Sequence, residues 1–392
     1  MTEGKQIILL ITSVHPWDDP RIFFKEALSL RKKYAVEIHA PADFQIKEEK
    51  GIRIVGLPRY QRRYLRVLNW VRLFFRAWKS PACYIHFHDS ELIPIAMILK
   101  FFTGKKVIYD IHENLPAGIM TKSWIPPLMR KTLARVMDWV EKKAVCYFNG
   151  ILLAEFSYVE RFRTLPANME TVVNYPPKNF GIGVSESPLL LRQNLCQMKD
   201  NHQQVKFIYA GVISKSRGIE EIIKRFALVQ KQGFNFHLYL VGPWVSPELR
   251  REMEEMIHNL NLTKQVTITG RISFQEVGCL YRQNDVGLAL LHPEENYLTY
   301  LATKIFEYMA VGIPVLASNF PLWKLLIIGH QCGLTANPTD IDEISKKIVL
   351  LIKNRCLRCR LGANGWKVFN SHYNWDTQEK KLWEFYKRLE EL

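Results

Sequence analysis

The sequence predicts an α/β fold built as two doubly wound, Rossmann-like domains facing a deep interdomain cleft, with a C-terminal helix packing across the domains. Three observations carry this. Short apolar runs of strand length alternate with segments of helical period, which is the pattern of a parallel sheet covered on both faces. The alternation stops in a breaker-rich stretch, Tyr175-Pro-Pro-Lys-Asn-Phe-Gly-Ile-Gly183, and a second series starts afresh near residue 205. A chain of 392 residues is also too long for one core. The expected organisation is an N-terminal domain over 1–178, a linker or insert over 179–204, a second domain over 205–374, and a terminal helix, 375–392, returning to the first domain.

In the first series, Ile7 to Thr12 reads as a strand, Ile22 to Lys32 as a helix, and Val36 to His39 and Arg53 to Leu57 as strands. A long basic helix over Arg62 to Lys79 precedes strand Tyr84 to Phe87, helix Glu91 to Phe102, strand Lys106 to Asp110, helix Pro127 to Val145 and strand Ile151 to Ala154. The second series runs strand Lys206 to Tyr209, helix Gly218 to Gln230, strand Phe236 to Val241, helix Pro247 to Asn259, strand Val266 to Ile268, helix Phe274 to Arg282 and strand Val286 to Ala289. A helix then begins between Thr299 and Thr303, stops at Gly312, and gives way to a buried strand from Pro314. Trp375, Leu382, Phe385, Tyr386 and Leu389 recur at helical spacing and define the last helix.

With 48% hydrophobic and 23% charged residues the chain is globular. Its longest apolar run, Leu92 to Leu99, is interrupted by Pro94, bounded by Lys100 and too short to span a bilayer. The N-terminus passes directly into a strand without the apolar core and cleavage site of a signal peptide, so a cytoplasmic location is expected. Seven scattered cysteines fit a reducing compartment, and Cys356-x-x-Cys359 has no second pair at zinc spacing. A net charge of +16 calls for an anionic partner: nucleic acid, an acidic membrane or a phosphorylated substrate.

Candidate chemistry collects at the carboxyl ends of the strands, where doubly wound sheets bind ligands. The helix starting near Thr303 presents free N–H groups and a positive dipole end, with Lys304 adding a cation and Glu307 one turn on, on the same side. Two readings fit this unit: a grip on phosphate and a ribose diol, or an ordinary helix–strand pair with a solvated Lys/Glu couple. Tyr209-Ala-Gly211-Val-Ile-Ser-Lys215-Ser-Arg217-Gly218 repeats the design, a strand, a small-residue turn and two cations at a helix start, suited to a diphosphate or else to solvent. In the first domain, Tyr109-Asp-Ile-His112-Glu113 places an imidazole at a strand end. Alternation sends His86 and His88 to one side, where hydrogen bonding is favoured over metal ligation for want of a third ligand, and Asp89 is positioned to cap the next helix. Arg21, in the loop Ser13-Val-His-Pro-Trp-Asp-Asp-Pro-Arg21, is placed to pair with an anionic ligand or with Asp18 and Asp19.

Taken in order, Ser13-Val-His-Pro-x-Asp-Asp-x-Arg-Ile, Tyr109-Asp-x-His-Glu, Tyr209-x-Gly-x5-Arg-Gly-Ile219 and Lys304-x-Phe-Glu-Tyr-Met-Ala-x-Gly-x-Pro-Val-x-Ala-Ser318 resemble the family-4 retaining glycosyltransferases of the GT-B fold, over nearly the whole chain. The resemblance implies transfer from a UDP- or GDP-linked sugar to a hydroxyl, without metal or other cofactor. It makes the first domain the acceptor domain and the second the donor domain. Residues implied in catalysis are His112, against the transferred sugar, Arg217, on the donor diphosphate, and Glu307, on the ribose. Donor contacts fall on Gly211, Lys215, Arg217, Thr299, Tyr300, Leu301, Ala302, Thr303, Lys304 and Glu307. Acceptor-side candidates are His15, Arg21, His88, Asp89 and Glu113. Two positions depart from the pattern. Thr299 stands where the family often has a carboxylate eight residues before Glu307, leaving Glu294 or Glu295 as substitutes, and Val212 replaces a common arginine, leaving Lys215 as a second phosphate cation.

Charge points to the acceptor. Arg59, Arg62, Arg63, Arg66, Arg72, Arg76 and Lys79 share a carboxylate-free segment with apolar residues at 64, 67, 68, 71, 74, 75 and 78. As a helix this is either an interfacial element on anionic lipid or a core helix with a solvated basic face. Trp124 and its neighbours over 121–131 support the membrane version, so the expected acceptor is a glycan or lipid-linked molecule at the inner face of a membrane, in polysaccharide or glycolipid synthesis. Two rivals stand beside this reading: a catalytically silent sugar-nucleotide sensor or partner subunit, and a nucleic-acid-binding protein, for which no RNA or DNA module is present.

Overall fold

The computed structural model describes residues 5–60, 62–121, 125–181 and 204–391. Trp124 and nearly all of the expected linker lie outside them. The chain forms two compact units: one contains the residues up to Asn174 together with Trp375 onward, the other Tyr175–Asn374.

The first unit is an eight-stranded sheet in the order β3-β4-β2-β1-β5-β6-β7-β8. Its strands are β1 (Ile7–Ile11), β2 (Ala35–Pro41), β3 (Ile46–Glu49), β4 (Ile52–Leu57), β5 (Tyr84–Phe87), β6 (Lys106–Ile111), β7 (Gly150–Leu153) and β8 (Met169–Thr171). All pairings are parallel except β3 with β4. The sequence reading missed β3, whose Ile46-Lys-Glu-Glu is charged and lies at the sheet edge, and β8, which is only three residues long. The expected basic helix splits into a 3-10 turn, Arg63–Arg66, and an α-helix, Val67–Lys79. Lys105 holds the C-terminal end of that helix, its Nζ reaching the carbonyls of Ala77 at 2.5 Å, Trp78 at 3.2 Å and Ser80 at 2.5 Å, where a cation complements the dipole.

The second unit has strand order β11-β10-β9-β12-β13-β14, all parallel. Its strands are β9 (Val205–Ala210), β10 (Phe236–Val241), β11 (Val266–Gly270), β12 (Val286–Ala289), β13 (Val315–Ser318) and β14 (Gly333–Ala336). In chain order this is the 3-2-1-4-5-6 winding of a dinucleotide-binding sheet. The order reverses between β1 and β5 in one unit and between β9 and β12 in the other, so each unit has one switch point and one natural ligand position outside its carboxyl ends. Beyond Ser318 the structure adds helices Pro321–Gly329, Ile341–Lys353 and Arg355–Ser371, none of them anticipated.

The terminal helix, Trp375–Glu390, buries Trp375, Leu382, Phe385, Tyr386 and Leu389 in the same cluster as Ile8, Leu10 and Ile38 of the first sheet. Polar contacts fix its register: Trp375 Nε1 donates to Ser29 Oγ at 2.8 Å, Val173 N to Gln378 Oε1 at 3.0 Å, and Tyr34 Oη to Glu390 Oε1 at 2.7 Å. The Gly150 backbone explains why β7 carries no side chain there, because a Cβ would lie 2.6 Å from Phe385. Leu382, fully buried, is expected to cost about 2–5 kcal/mol as Leu382→Ala. Urea unfolding should show the loss in the first unit's transition only, and an unchanged midpoint would contradict this packing.

Candidate active site

In the first unit the switch point is built by the ends of β1, β5 and β6. Asp89, expected to cap its own helix, does something else. Its buried Oδ2 accepts from Thr12 Oγ1 at 2.9 Å, Ser13 N at 2.5 Å, Ser13 Oγ at 3.1 Å and Val14 N at 3.3 Å, which ties the loop after β1 to the end of β5. The Ser90–Leu92 turn that follows Asp89 has no side-chain cap. His15 lies on this loop, 3.5 Å from both Asp19 and Asp89. Burial works against its charge but is outweighed by the hydrogen bond to Asp19 and the fields of Asp89, Asp19 and Glu113, so its pKa rises from 6.5 to about 9.

Arg21 is not available to a ligand. It is 3% exposed, and its guanidinium binds Asp110 at two points, Nε–Oδ2 and Nη2–Oδ1, both 2.9 Å. Nη1 donates to the Val172 carbonyl at 2.7 Å, and Nε also contacts Glu26 Oε1 at 2.8 Å. His88 is likewise withdrawn from the acceptor side, buried with Nε2 2.8 Å from Glu26 Oε2. The missing third ligand beside His88 does exist, since Glu26, Asp110 and His112 converge on it. Arg21 Nε, however, sits among three of these groups, 2.8, 2.9 and 3.1 Å from Glu26, Asp110 and His112, so a cation is already in place. His112 is half-buried with Nε2 2.8 Å from Asp110 Oδ2, its ring 5.5 Å from that of His15, while Glu113 is exposed. Glu26 and Asp110 were not singled out from sequence. A carboxylate inside a strand, as Asp110 is, was the available sign, because such a group needs a buried partner.

In the second unit, β9 ends in Gly211 at φ +135°, a conformation reserved for glycine. A Cβ there would meet Lys304 Nζ at 3.2 Å and Arg217 Nη1 at 3.3 Å, so the two cations converge on the bare backbone of this turn. Gly218, at φ +72°, opens the Ile219–Lys231 helix, and a Cβ on it would lie 2.2 Å from the Leu290 carbonyl. The helix starting at Thr303 has Ala302 as N-cap, no capping side chain and no acid in its first turn; Ile305 N donates to the Ala302 carbonyl at 2.9 Å, and the positive end of the dipole is left without a compensating side chain. Lys304 is buried with no hydrogen-bond partner on Nζ among the described residues, and this Nζ lies 3.8 Å from the Tyr209 ring centroid. Burial and the neighbouring Arg217 drive its pKa well below the usual lysine value. The solvated Lys/Glu reading of this helix therefore does not describe Lys304.

Other donor-side residues sort by position. Arg217 lies over the Tyr297 ring at 5.9 Å. Glu307 accepts from Tyr281 Oη at 3.0 Å, and the Tyr300 carbonyl accepts from Trp323 Nε1 at 2.6 Å. Leu301 and Thr303 are half-buried, Ala302 buried and Thr299 exposed. Lys215 is turned away, 57% exposed and paired with Glu252 at 2.7 Å. Glu294 is exposed, and the side chain of Glu295 lies outside the described residues. Tyr209 lies beside Lys304, Tyr297 beside Arg217 and Tyr281 on Glu307, and the sequence reading gave none of the three a role.

Two doubly wound sheets, each reversing its strand order once and each with polar groups at that switch point, are the pattern of the GT-B fold. Residues 197–368 match the family model described as glycosyl transferases group 1. It is 26% identical over 191 residues to the capsular polysaccharide biosynthesis glycosyltransferase CapM of Staphylococcus aureus, covering 46% of this chain and 47% of that protein. It is 21% identical over 413 residues to the chitobiosyldiphosphodolichol beta-mannosyltransferase of Kluyveromyces lactis, covering 97% and 91%. The chain spans about half the length of several curated relatives it matches, CapM among them. Among solved structures, Anabaena Alr3699/HepE in complex with UDP-glucose superposes with TM-score 0.70 at 15% identity, over 97% of this chain and 99% of that one.

The raised pKa of His15 carries a prediction. A group raised from 6.5 to about 9 adds stability that is complete below pH 6.5 and lost as pH rises through 9. The stability gap between wild type and Asp19→Asn, measured by urea unfolding, should therefore narrow on moving from pH about 6 to pH about 10; a gap that widens would refute the assignment.

Proposed function

We propose that the chain is a retaining, metal-independent glycosyltransferase that moves a sugar from a UDP- or GDP-linked donor to a hydroxyl of a glycan or lipid-linked acceptor. One observation carries the reading: a buried lysine amine without a hydrogen-bond partner among the described residues, beside Arg217, at the start of a helix with no side-chain cap. Leaving Lys304 in that state is unfavourable in the free protein, and a diphosphate would supply the acceptor oxygens and negative charge that the cluster lacks. Glu307, held by Tyr281, is the carboxylate for the ribose diol. The names of the relatives, one a capsular polysaccharide enzyme and one a mannosyltransferase acting on a dolichol diphosphate, support the substrate classes.

The chemistry follows from charge. As the bond between the anomeric carbon and the diphosphate oxygen breaks, negative charge grows on the leaving group, where Arg217, Lys304 and the helix N–H donors stabilise it without reorganising. In a retaining transfer the acceptor hydroxyl enters on the leaving-group face, and the departing phosphate oxygen takes its proton. His112 is the first unit's group for the transferred sugar. Thr299, lacking the carboxylate of related enzymes, favours a second reading, a sugar-nucleotide sensor that binds without turnover.

Arg217→Ala and Glu307→Ala are each expected to lower transfer by about 100-fold or more while leaving the unfolding midpoint unchanged. Wild-type turnover in either variant would sink the assignments. A panel of UDP- and GDP-sugars should raise the thermal midpoint of the wild type, because a ligand bound only by the folded state stabilises it. Stabilisation without transfer or donor hydrolysis would favour the sensor, and no response to any nucleotide would remove both readings.

The acceptor side is proposed to work at an anionic membrane, as a peripheral protein on the cytoplasmic face. No helix among the described residues is long and apolar enough to cross a membrane. The Val67–Lys79 helix turns Asn69, Leu73 and Ala77 inward and leaves Val67, Leu68, Val71, Phe75 and Trp78 exposed, so most of its apolar stripe is outside the core. A core helix with a solvated basic face accounts for the inner side, Leu73 and Ala77 with Trp70 and Phe74 packed beside them, but not for this exposed apolar stripe. Phe101 and Phe102 of the neighbouring Ile93–Thr103 helix are 68% and 63% exposed, and Phe102 meets Trp78 at 6.1 Å, which widens the apolar surface beyond what the sequence pattern showed. Arg66, Arg72 and Lys79 have no ion pair among the described residues. Vesicles containing acidic phospholipid should pull down the wild type at low salt and release it as salt rises, with Arg72→Glu/Phe75→Ala retained poorly. Equal sedimentation with neutral vesicles would reject the membrane surface.

A further inference from the structure

The first unit buries two carboxylates, Glu26 and Asp110, against one guanidinium, and the geometry settles which of them keeps the charge. Asp110 receives the two-point pairing from Arg21 Nε and Nη2. Glu26 shares only the flank of the same Nε, and its other oxygen faces His88. His88 Nδ1 lies 3.4 Å from the Ile11 carbonyl, which can only accept, so the hydrogen of that ring sits on Nδ1. A neutral His88 then offers a lone pair at Nε2, and the hydrogen between Nε2 and Glu26 Oε2, 2.8 Å apart, belongs to Glu26. His86, packed against His88 at 4.7 Å between ring centroids, is also fully buried and binds Tyr386 Oη through Nδ1. With both rings neutral the interior holds one cation and one anion, the arrangement with the least buried net charge. The directions of titration agree: burial and the field of Asp110 push Glu26 well up, burial holds both histidines down, and Arg21 and His112 overcome burial to hold Asp110 well below the usual carboxylate range.

This division reaches the surface at His112. Its Nε2 is 2.8 Å from the ionised Asp110 Oδ2, which can only accept, and 3.1 Å from Arg21 Nε, whose single hydrogen Asp110 Oδ2 also accepts at 2.9 Å; a hydrogen on Nε2 satisfies the shorter contact, and a neutral His112 then keeps an unshared pair on Nδ1, which has no partner among the described residues. We propose that Asp110, oriented by Arg21, is a positioning residue that fixes His112 as the Nε2–H tautomer and leaves Nδ1 as a hydrogen-bond acceptor for a hydroxyl of the bound sugar, with Glu26 as the neutral acid of the pair. The proposal rests on the reading of His112 as the first unit's contact to the transferred sugar. It differs from a purely structural ion pair in one respect: it assigns unequal roles to two equally buried acids.

The first measurement reads the tautomer in the wild-type network. In the full chain labelled with 15N-histidine, two-bond nitrogen–proton correlations should show His112, assigned by its loss in His112→Gln, as the Nε2–H form; an Nδ1–H form, or a mixture of the two, would overturn the proposal. The amide isosteres then separate the acids. Glu26→Gln should keep the His112 pattern, whereas Asp110→Asn should shift it toward Nδ1–H and lower kcat by about 100-fold with donor KM little changed. Equal spectral effects of the two substitutions would reject the unequal roles, as would a loss confined to KM. A wild type that transfers no sugar would remove the enzymatic reading alone, since the spectra still decide the tautomer.

Discussion

The buried pairing of Arg21 with Asp110 is the interaction on which the first unit depends. Arg21 stands at the start of the first helical segment, Asp110 near the end of β6, and the remaining guanidinium nitrogen holds the Val172 carbonyl just before the chain leaves for the second unit. Three segments far apart in sequence thus share one side chain. Breaking such a pair by removing one partner costs about 3–5 kcal/mol, because the other charge is stranded in a medium that cannot solvate it. The pair is therefore tolerable only while its nitrogens and oxygens have partners, which each supplies to the other and which His112 and Val172 complete.

The two units treat cations in opposite ways. In the first, Arg21 is matched by Asp110 and its remaining donor meets a carbonyl, so nothing is left for a ligand. In the second, Arg217 and Lys304 converge at Gly211 without a carboxylate beside them, and the nearest acid, Glu307, is engaged by Tyr281. Arg21, fully paired, builds structure, whereas Lys304, with no acceptor on Nζ among the described residues, prepares a binding site. Residue type alone does not separate the two cases; the burial of each partner does.

Much of the architecture was legible in the sequence because it depends on local period. Helices Pro127–Val145 and Pro247–Asn259 and strands β5 and β10 fall on the expected bounds, since proline at a helix start and a run of alternating apolar residues are local marks. The edge strand β3 was not legible, because its exposed charged residues carry no apolar alternation. At the candidate site, Gly211, Arg217, Lys304 and Glu307 could be read from the turn and helix-start pattern. The fates of Arg21, His88, Asp89 and Lys215 could not, because each is decided by a partner far away or on another element: Asp110, Glu26, the Thr12–Val14 loop and Glu252. Sequence spacing gives the position of a charge along an element but not what lies across from it.

The return of the chain to its first unit has a consequence for how the protein is made. The core around Ile8, Leu10 and Ile38 is completed by Trp375, Leu382, Phe385, Tyr386 and Leu389, which leave the ribosome only after the whole of Tyr175–Asn374. The second unit, continuous in sequence, can fold as it emerges, whereas the first must wait with an open apolar face for its last helix. During synthesis the order of folding therefore runs opposite to the order of the sequence, and the interval in which that face stays uncovered is set by the time needed to translate an entire domain.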